Sequence, residues 1–241
     1  MTLQRQISLF WVAILSLSAL CAQAAPFRYG ENRAPGMIQP IYATTMSEAR
    51  INELVFEGLF ADNKELQSAP LLALSYVIAE DGRSMTLELR ENVKWHDGQP
   101  FTADDVIFSI QAYKNKTTAS PERGRVSWIA DAKKTGPLSV SLSFENTEYS
   151  PQDKLHFKII PAHLFEATAL KRNDPFRNQP IGTGPYKVAG FNPDNSITLQ
   201  KFDSYHSPSG LSQIVMREVS DPNYQSKLLI YQSLEALVRV L

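Results

Sequence analysis

The stretch Val93-Lys94-Trp95-His96-Asp97-Gly98-Gln99-Pro100-Phe101-Thr102-Ala103-Asp104-Asp105-Val106 decides the fold of this 241-residue chain. Its first part, Trp95 to Gly98, has the residue types of a turn. Thr102 and Asp105 then have the spacing of a capping box, in which two side chains satisfy N–H groups at the start of a helix. Acidic residues in this first turn also complement the helix dipole. The stretch therefore predicts a turn followed by a capped helix.

A β-hairpin is predicted immediately before this stretch. Apolar residues alternate with others over residues 74–78 and again over residues 85–89. Alternation with a period of two is typical of strands. The pair Asp81-Gly82 lies between the two runs, and Asp-Gly is a frequent connection in hairpins.

Further elements are predicted on both sides of the hairpin. Phe27 to Tyr29 is expected to form a first strand, and Thr45-x-x-Glu48 is a second capping box that opens a helix. Later strands are predicted over residues 138–144, 197–202 and 214–219 from their alternation. Asp221-Pro222 predicts the start of a last helix, whose apolar stripe continues to Leu241. Because the sequence stops within this apolar pattern, we expect a chain cut in the middle of a fold.

Together, these motifs resemble family 5 of the extracytoplasmic solute-binding proteins. Members are the peptide-binding, and in some cases nickel- or haem-binding, components of ABC importers. The most specific part runs from Asp81 to Ser109. Four other segments agree with the family in order and spacing: Glu57-Gly58-Leu59, Ala69 to Ala73, Phe157 to Phe165, and Pro180 to Lys187.

The resemblance implies an α/β fold of the periplasmic-binding-protein type (cluster C), limited to the first of two lobes. It implies that residues 25–56 and 179–241 form the discontinuous α/β domain of this lobe, incomplete here. Residues 57–178 would form an extra α+β domain packed on it. The second lobe, which closes on the ligand through a hinge, is expected to be missing.

The resemblance also implies where a ligand would bind. The family's loop after the first strand meets the backbone of a bound peptide, and its counterpart here contains Tyr42, Ala43, Thr44 and Thr45. Thr44 is the best placed of the four, whereas Thr45 taken alone reads better as a helix cap. Hydroxyl and backbone groups suit recognition that ignores side chains. Met46 and Trp128 are expected to pack in the core.

The N-terminus has the pattern of an export signal. Arg5 precedes an apolar run from Ile7 to Leu20, which is too short to span a bilayer comfortably. Ala22-Gln23-Ala24 is the small-x-small pattern of a cleavage site, so a cut after Ala24 is predicted. The cut would remove Cys21, the only cysteine, and leave a chain suited to an oxidising compartment. The expected location is the periplasm.

Composition argues against several other functions. Lys and Arg number 24 against 25 Asp and Glu, a net charge of -1 that offers no basic field for nucleic acid. The four His show no metal-ligand spacing, and no nucleophile or phosphate-loop motif occurs. We therefore expect no metal, no cofactor and no enzymatic activity.

The sequence thus predicts a periplasmic solute-binding protein that delivers oligopeptides to an inner-membrane ABC permease. The ligand stays open between a peptide, nickel, haem or another small solute. The alternative is a truncated paralogue that acts as a non-transport interaction or sensor module through an exposed apolar face.

Overall fold

The computed structural model describes residues 26–208, 210–221 and 236–237. The strands are β1 (Phe27–Glu31), β2 (Phe60–Asp62), β3 (Ser68–Pro70), β4 (Ala73–Ile78), β5 (Ser84–Leu89), β6 (Ile129–Gly136), β7 (Ser139–Phe144), β8 (Tyr186–Phe191), β9 (Ile197–Lys201), β10 (Gln213–Glu218) and β11 (Ala236–Leu237). The helices are α1 (Met46–Val55) and α2 (Ala103–Lys114). Short 3-10 turns cover Pro40–Tyr42, Pro121–Arg125, Pro151–Lys154, Ala162–Leu164 and Pro175–Asn178. In this described part of the chain, neither helix has the length and apolarity needed to cross a bilayer.

One mixed sheet joins the two ends of the chain. Its strand order is β11-β1-β10-β9-β8, with β1 parallel to both β10 and β11 and the other pairs antiparallel. Helix α1 packs on this sheet, and the core between them includes Ile51, Val55, Leu199 and Met216. Arg50 of α1 also forms an ion pair with Glu31 at the end of β1, at 2.9 Å.

A second, antiparallel sheet has the order β4-β5-β7-β6 and is covered by α2. Its core contains Trp95, Leu87, Val106 and Leu142, each with at most a trace of exposed surface. The predicted hairpin is confirmed as β4 and β5, with Gly82 at a φ of 66° in the connection. That left-handed conformation is one that Gly adopts at little cost.

Five strands before β11 differ from the prediction, which lacks β2, β3, β6 and β8 and has no bulge in β4. β6 was not predicted because this edge strand is mostly exposed and polar. It therefore shows no apolar alternation. In β4, Leu74 is an extra residue in a bulge between Ala73 and Ser75. The bulge turns Leu74 outward, so it is exposed.

The last predicted helix is wrong for its only described residues. Ala236 and Leu237 form β11, which pairs with Tyr29 and Gly30 of β1. A parallel partner for β1 overrides the helical periodicity at this point, because tertiary context decides between weak local preferences. The rest of that helix, and the predicted signal peptide at 1–24, lie outside the described residues.

Candidate functional site

The four predicted ligand-binding residues lie together between the turn Pro40–Tyr42 and α1. Tyr42 is buried, Ala43 and Thr45 are half-buried, and Thr44 is exposed. Met46, which was expected in the core, is also exposed. It is the first residue of α1. Trp128 is partly buried against Phe144, with a ring distance of 5.0 Å.

The backbone N–H groups of residues 42–45 all donate within the chain. The first two close the 3-10 turn. The Glu48 carboxylate accepts the other two, 2.8 Å from the Thr44 nitrogen and 3.1 Å from the Thr45 nitrogen. The Thr45 hydroxyl in turn accepts from the Glu48 N–H, so the predicted capping box is confirmed. The Thr45 carbonyl already accepts from the Ala49 N–H at 2.9 Å, so the segment offers a ligand the carbonyl oxygens of residues 42–44 and the Thr44 hydroxyl rather than N–H donors.

Tyr42 connects this segment to a loop far along the chain. Its hydroxyl donates to the Leu170 carbonyl oxygen at 2.8 Å. The guanidinium of Arg172 lies over the ring, 5.0 Å from its centroid, in a cation–π contact. Burial raises the pKa of the Tyr42 phenol, and the Arg172 charge opposes that rise. The phenol is thus a neutral hydrogen-bond donor that anchors the loop at Leu170.

That loop lines an open cleft with a volume of about 780 Å³. Its wall combines apolar side chains, including Phe165 and Phe176, with polar ones such as Lys171. The Thr118 hydroxyl holds the loop by donating to the Thr168 carbonyl at 2.9 Å, and it accepts from the Leu170 N–H at 3.0 Å. No sequence motif marked this loop, because its contacts are with residues about 50 or more positions away.

The two most specific sequence motifs contact each other through His96. Its Nδ1 accepts from the Gly182 N–H at 3.2 Å, and its Nε2 donates to the Gly184 carbonyl at 2.9 Å. This pattern needs a neutral imidazole with its proton on Nε2. Burial lowers the pKa of His96 to about 4, although the Gly184 bond opposes that change.

The glycines of this loop lie against the end of α1. A Cβ added at Gly182 would be 1.7 Å from the Val55 carbonyl oxygen, and one at Gly184 would be 2.6 Å from that of Leu54. No side chain fits at such distances, so glycine is required for close backbone approach. The two motifs therefore hold the fold together.

A buried acid, Glu57, was not singled out from the sequence as a polar centre. Its Oε1 accepts from the Tyr205 hydroxyl and from His206 Nε2, both at 2.9 Å. Burial, followed by the Glu57 charge, raises the pKa of the Tyr205 phenol. These contacts connect Glu57, which lies just before β2, to the loop between β9 and β10.

The His side chains have structural partners rather than a shared site. Those outside the two clusters above are His156, which bonds to the Ser68 hydroxyl at 2.9 Å, and His163, which bonds to Asp97 at 2.8 Å. Across the described ranges, no three His, Cys, Asp or Glu side chains come together as a metal site would need.

Comparison with known proteins identifies the group to which this arrangement is similar. A family model described as bacterial extracellular solute-binding proteins, family 5 Middle, matches residues 67–235. The glutathione-binding protein GsiB of Escherichia coli K12 is 25% identical over 219 residues, covering 90% of this chain and 42% of the relative. The probable peptide-binding protein YejA of Agrobacterium fabrum is 32% identical over 162 residues, covering 63% of this chain and 26% of the relative.

Solved structures show the same fold. NikZ from Campylobacter jejuni, in complex with Ni(L-His), superposes with a TM-score of 0.79 at 26% identity, covering 88% of this chain and 43% of that one. The oligopeptide-binding protein AppA from Bacillus subtilis, in complex with a nonapeptide, gives 0.81 at 21% identity, covering 87% and 43%. This chain therefore spans less than half the length of the relatives that it matches.

Proposed function

Because this chain belongs to the bacterial extracellular solute-binding proteins of family 5, we propose that it binds small peptides for an ABC importer. The family and the periplasmic-binding-protein-like α/β fold that the sequence predicted are both confirmed. The matched portion of each solved structure is what a single lobe would give. In the proposed role, the chain is exported to the periplasm, binds solute without reacting with it, and presents it to an inner-membrane permease.

The names of two relatives support a peptide ligand, whereas the similar structure of NikZ holds Ni(L-His). One relative is named as a glutathione-binding protein and another as a probable peptide-binding protein. Glutathione is itself a tripeptide, so both names describe chemistry built on amide groups. In the proposed mechanism, two lobes close around the ligand on a hinge, and the permease recognises the closed form.

We place the peptide backbone against Tyr42, Ala43, Thr44 and Thr45. This assignment rests on which polar groups of the segment already have hydrogen-bond partners within the chain and which do not. Its N–H groups are used within the chain, whereas Thr44 is exposed and its hydroxyl has no partner among the described residues. Peptide N–H groups can donate to these carbonyl oxygens whatever side chains the peptide carries.

The two sheets support a division of the lobe into two domains. We propose that residues 25–56 and 179–241 form the discontinuous α/β domain and that residues 57–178 form the extra domain. Two hydrophobic clusters, one beneath each of these sheets, support this division, with Ile41 and Tyr42 crossing into the core of the extra domain and Phe176 into that of the α/β domain. The contacts of His96 with Gly182 and Gly184 would then join the domains.

The ligand assignment is tested by titrating the ¹⁵N-labelled chain with trialanine and with glutathione. We expect saturable shifts of the amide resonances of residues 42–45 at millimolar peptide. The affinity should be weak because the described residues surround only part of a ligand. Maltotriose, which has no amide group, is the control ligand. Resonances of 42–45 that do not respond to either peptide would contradict the assignment, and micromolar affinity by calorimetry would contradict the expected weakness.

The alternative role, a non-transport interaction module, is favoured by one observation. β4 is an edge strand, and Leu74 and Val77 on it are 55% and 71% exposed. Exposed apolar side chains on an open edge suit pairing with another protein. Light scattering after size-exclusion chromatography separates the two roles. A stable oligomer that Val77→Lys dissociates would support the alternative, and a monomer would support the solute-binding role.

A further inference from the structure

Asn52, in α1, is a buried polar side chain without a partner. It is 3% exposed, and neither its Oδ1 nor its Nδ2 forms a hydrogen bond with any described residue. Buried polar groups in folded proteins are nearly always paired, so the Asn52 carboxamide is open to a partner that the described residues do not supply.

The carboxamide lines a small pocket of about 80 Å³ that also includes Ala43 of the candidate binding segment. A single water needs about 10–15 Å³ of such space, so the pocket has room for several groups of that size. This is enough for one peptide group and the carbon atoms beside it.

The other polar side chains of the pocket are already paired. The charged ones pair with each other, Glu53 with Lys158 and Glu122 with Arg125. The two remaining polar side chains also have partners: Tyr113 donates to the Lys158 carbonyl, and His156 bonds to the Ser68 hydroxyl. The four charges cancel, so the pocket favours a neutral ligand group over an ion.

We propose that the Asn52 carboxamide binds one peptide group of the solute, an inference that rests on the proposed function. Its Nδ2 donates to the carbonyl oxygen of that group and its Oδ1 accepts from the N–H. A carboxylate would leave Oδ1 without a donor, and an ammonium would leave Nδ2 without an acceptor. Asn52 also supplies the donor that residues 42–45 lack, because their N–H groups are used within the chain.

The test compares Asn52→Leu, which has a similar volume and no polar atoms, with Thr183→Val as the matched control. The Thr183 hydroxyl is likewise buried and unpartnered, but it lies outside the pocket. Trialanine is the probe, and its affinity is measured from the shifts of residues 42–45. Loss of two hydrogen bonds should weaken binding by Asn52→Leu about tenfold or more, and Thr183→Val should bind as the wild type does. Asn52→Leu should also raise the denaturation midpoint, because an unpaired polar group has been removed.

Wild-type affinity in Asn52→Leu would overturn the proposal and show that only water meets the carboxamide. In that result, residues 42–45 would still respond to trialanine, so the proposed function would stand. The wild-type chain supplies a second measurement that needs no variant to fold. Its Asn52 side-chain NH₂ resonances should shift with the same saturation curve as those of residues 42–45, and unmoved NH₂ resonances would also overturn the proposal.

Discussion

Replacing His96 with Asn should make the stability of this protein less sensitive to acid. The imidazole is held neutral, since Nδ1 accepts from Gly182 while Nε2 donates to Gly184. Protonation would add a proton to Nδ1, and this new N–H would face the N–H of Gly182. Asn does not titrate in this range, so the variant lacks the transition while the buried loop stays in place.

The magnitude follows from the two pKa values of the imidazole. An unfolded His titrates near 6.5, and burial lowers the pKa of His96 in the folded chain to about 4. The stabilisation is therefore fully present above pH 6.5 and is lost as the pH falls towards 4. The full difference corresponds to about 3 kcal/mol, of which about 2 kcal/mol is lost between pH 7.5 and pH 5.

Urea denaturation followed by tryptophan fluorescence at pH 7.5 and pH 5 measures this effect. The free-energy advantage of the wild type over His96→Asn should shrink by about 2 kcal/mol at the lower pH. Carboxyl groups titrate in both proteins and cancel in the difference. His156→Gln is the control, because it removes an imidazole outside the glycine loop. An advantage of His96 that is equal at both pH values would refute the reasoning.

Three further predictions concern the backbone and the N-terminus. Gly182→Ala should prevent stable folding, because its Cβ would lie 1.7 Å from a carbonyl oxygen of α1, whereas Gly124→Ala, with nothing within 4 Å, should leave the melting temperature nearly unchanged. Thr45→Ala should cost about 1 kcal/mol of unfolding free energy through loss of the helix cap; an unchanged value would contradict the capping role. N-terminal sequencing of the chain exported by a bacterial host should begin directly after Ala24; an intact N-terminus on the exported chain would contradict the predicted cut.

The hairpin and the helix starts were predictable because their determinants are local. The alternation in β5, the Asp81-Gly82 turn and the Thr45–Glu48 capping box involve residues only a few positions apart, and the structure contains each as expected. β6 was not predictable in the same way. An edge strand with one buried residue at its start has no period of two to detect.

The candidate site was predictable only as a segment of chain. The family resemblance indicated residues 42–45, but not that their N–H groups donate within the chain. It gave no sign of Asn52 either, because an Asn within a helix is expected on the surface. Its burial depends on the turn Pro121–Arg125 and the segment 156–158 covering that face of α1.

The sequence by itself determined the family, the hairpin and the capped helices, and its family resemblance predicts that a ligand meets residues 42–45. These features rest on residue types at short spacings, where backbone preference and periodicity act. Only the tertiary structure decided that His96 bonds to Gly184, which lies 88 positions later in the chain, and so holds the Gly182–Gly184 loop. The same is true of Asn52, which is buried without a partner among the described residues. Such facts depend on which distant surfaces meet, and local preferences do not encode that meeting.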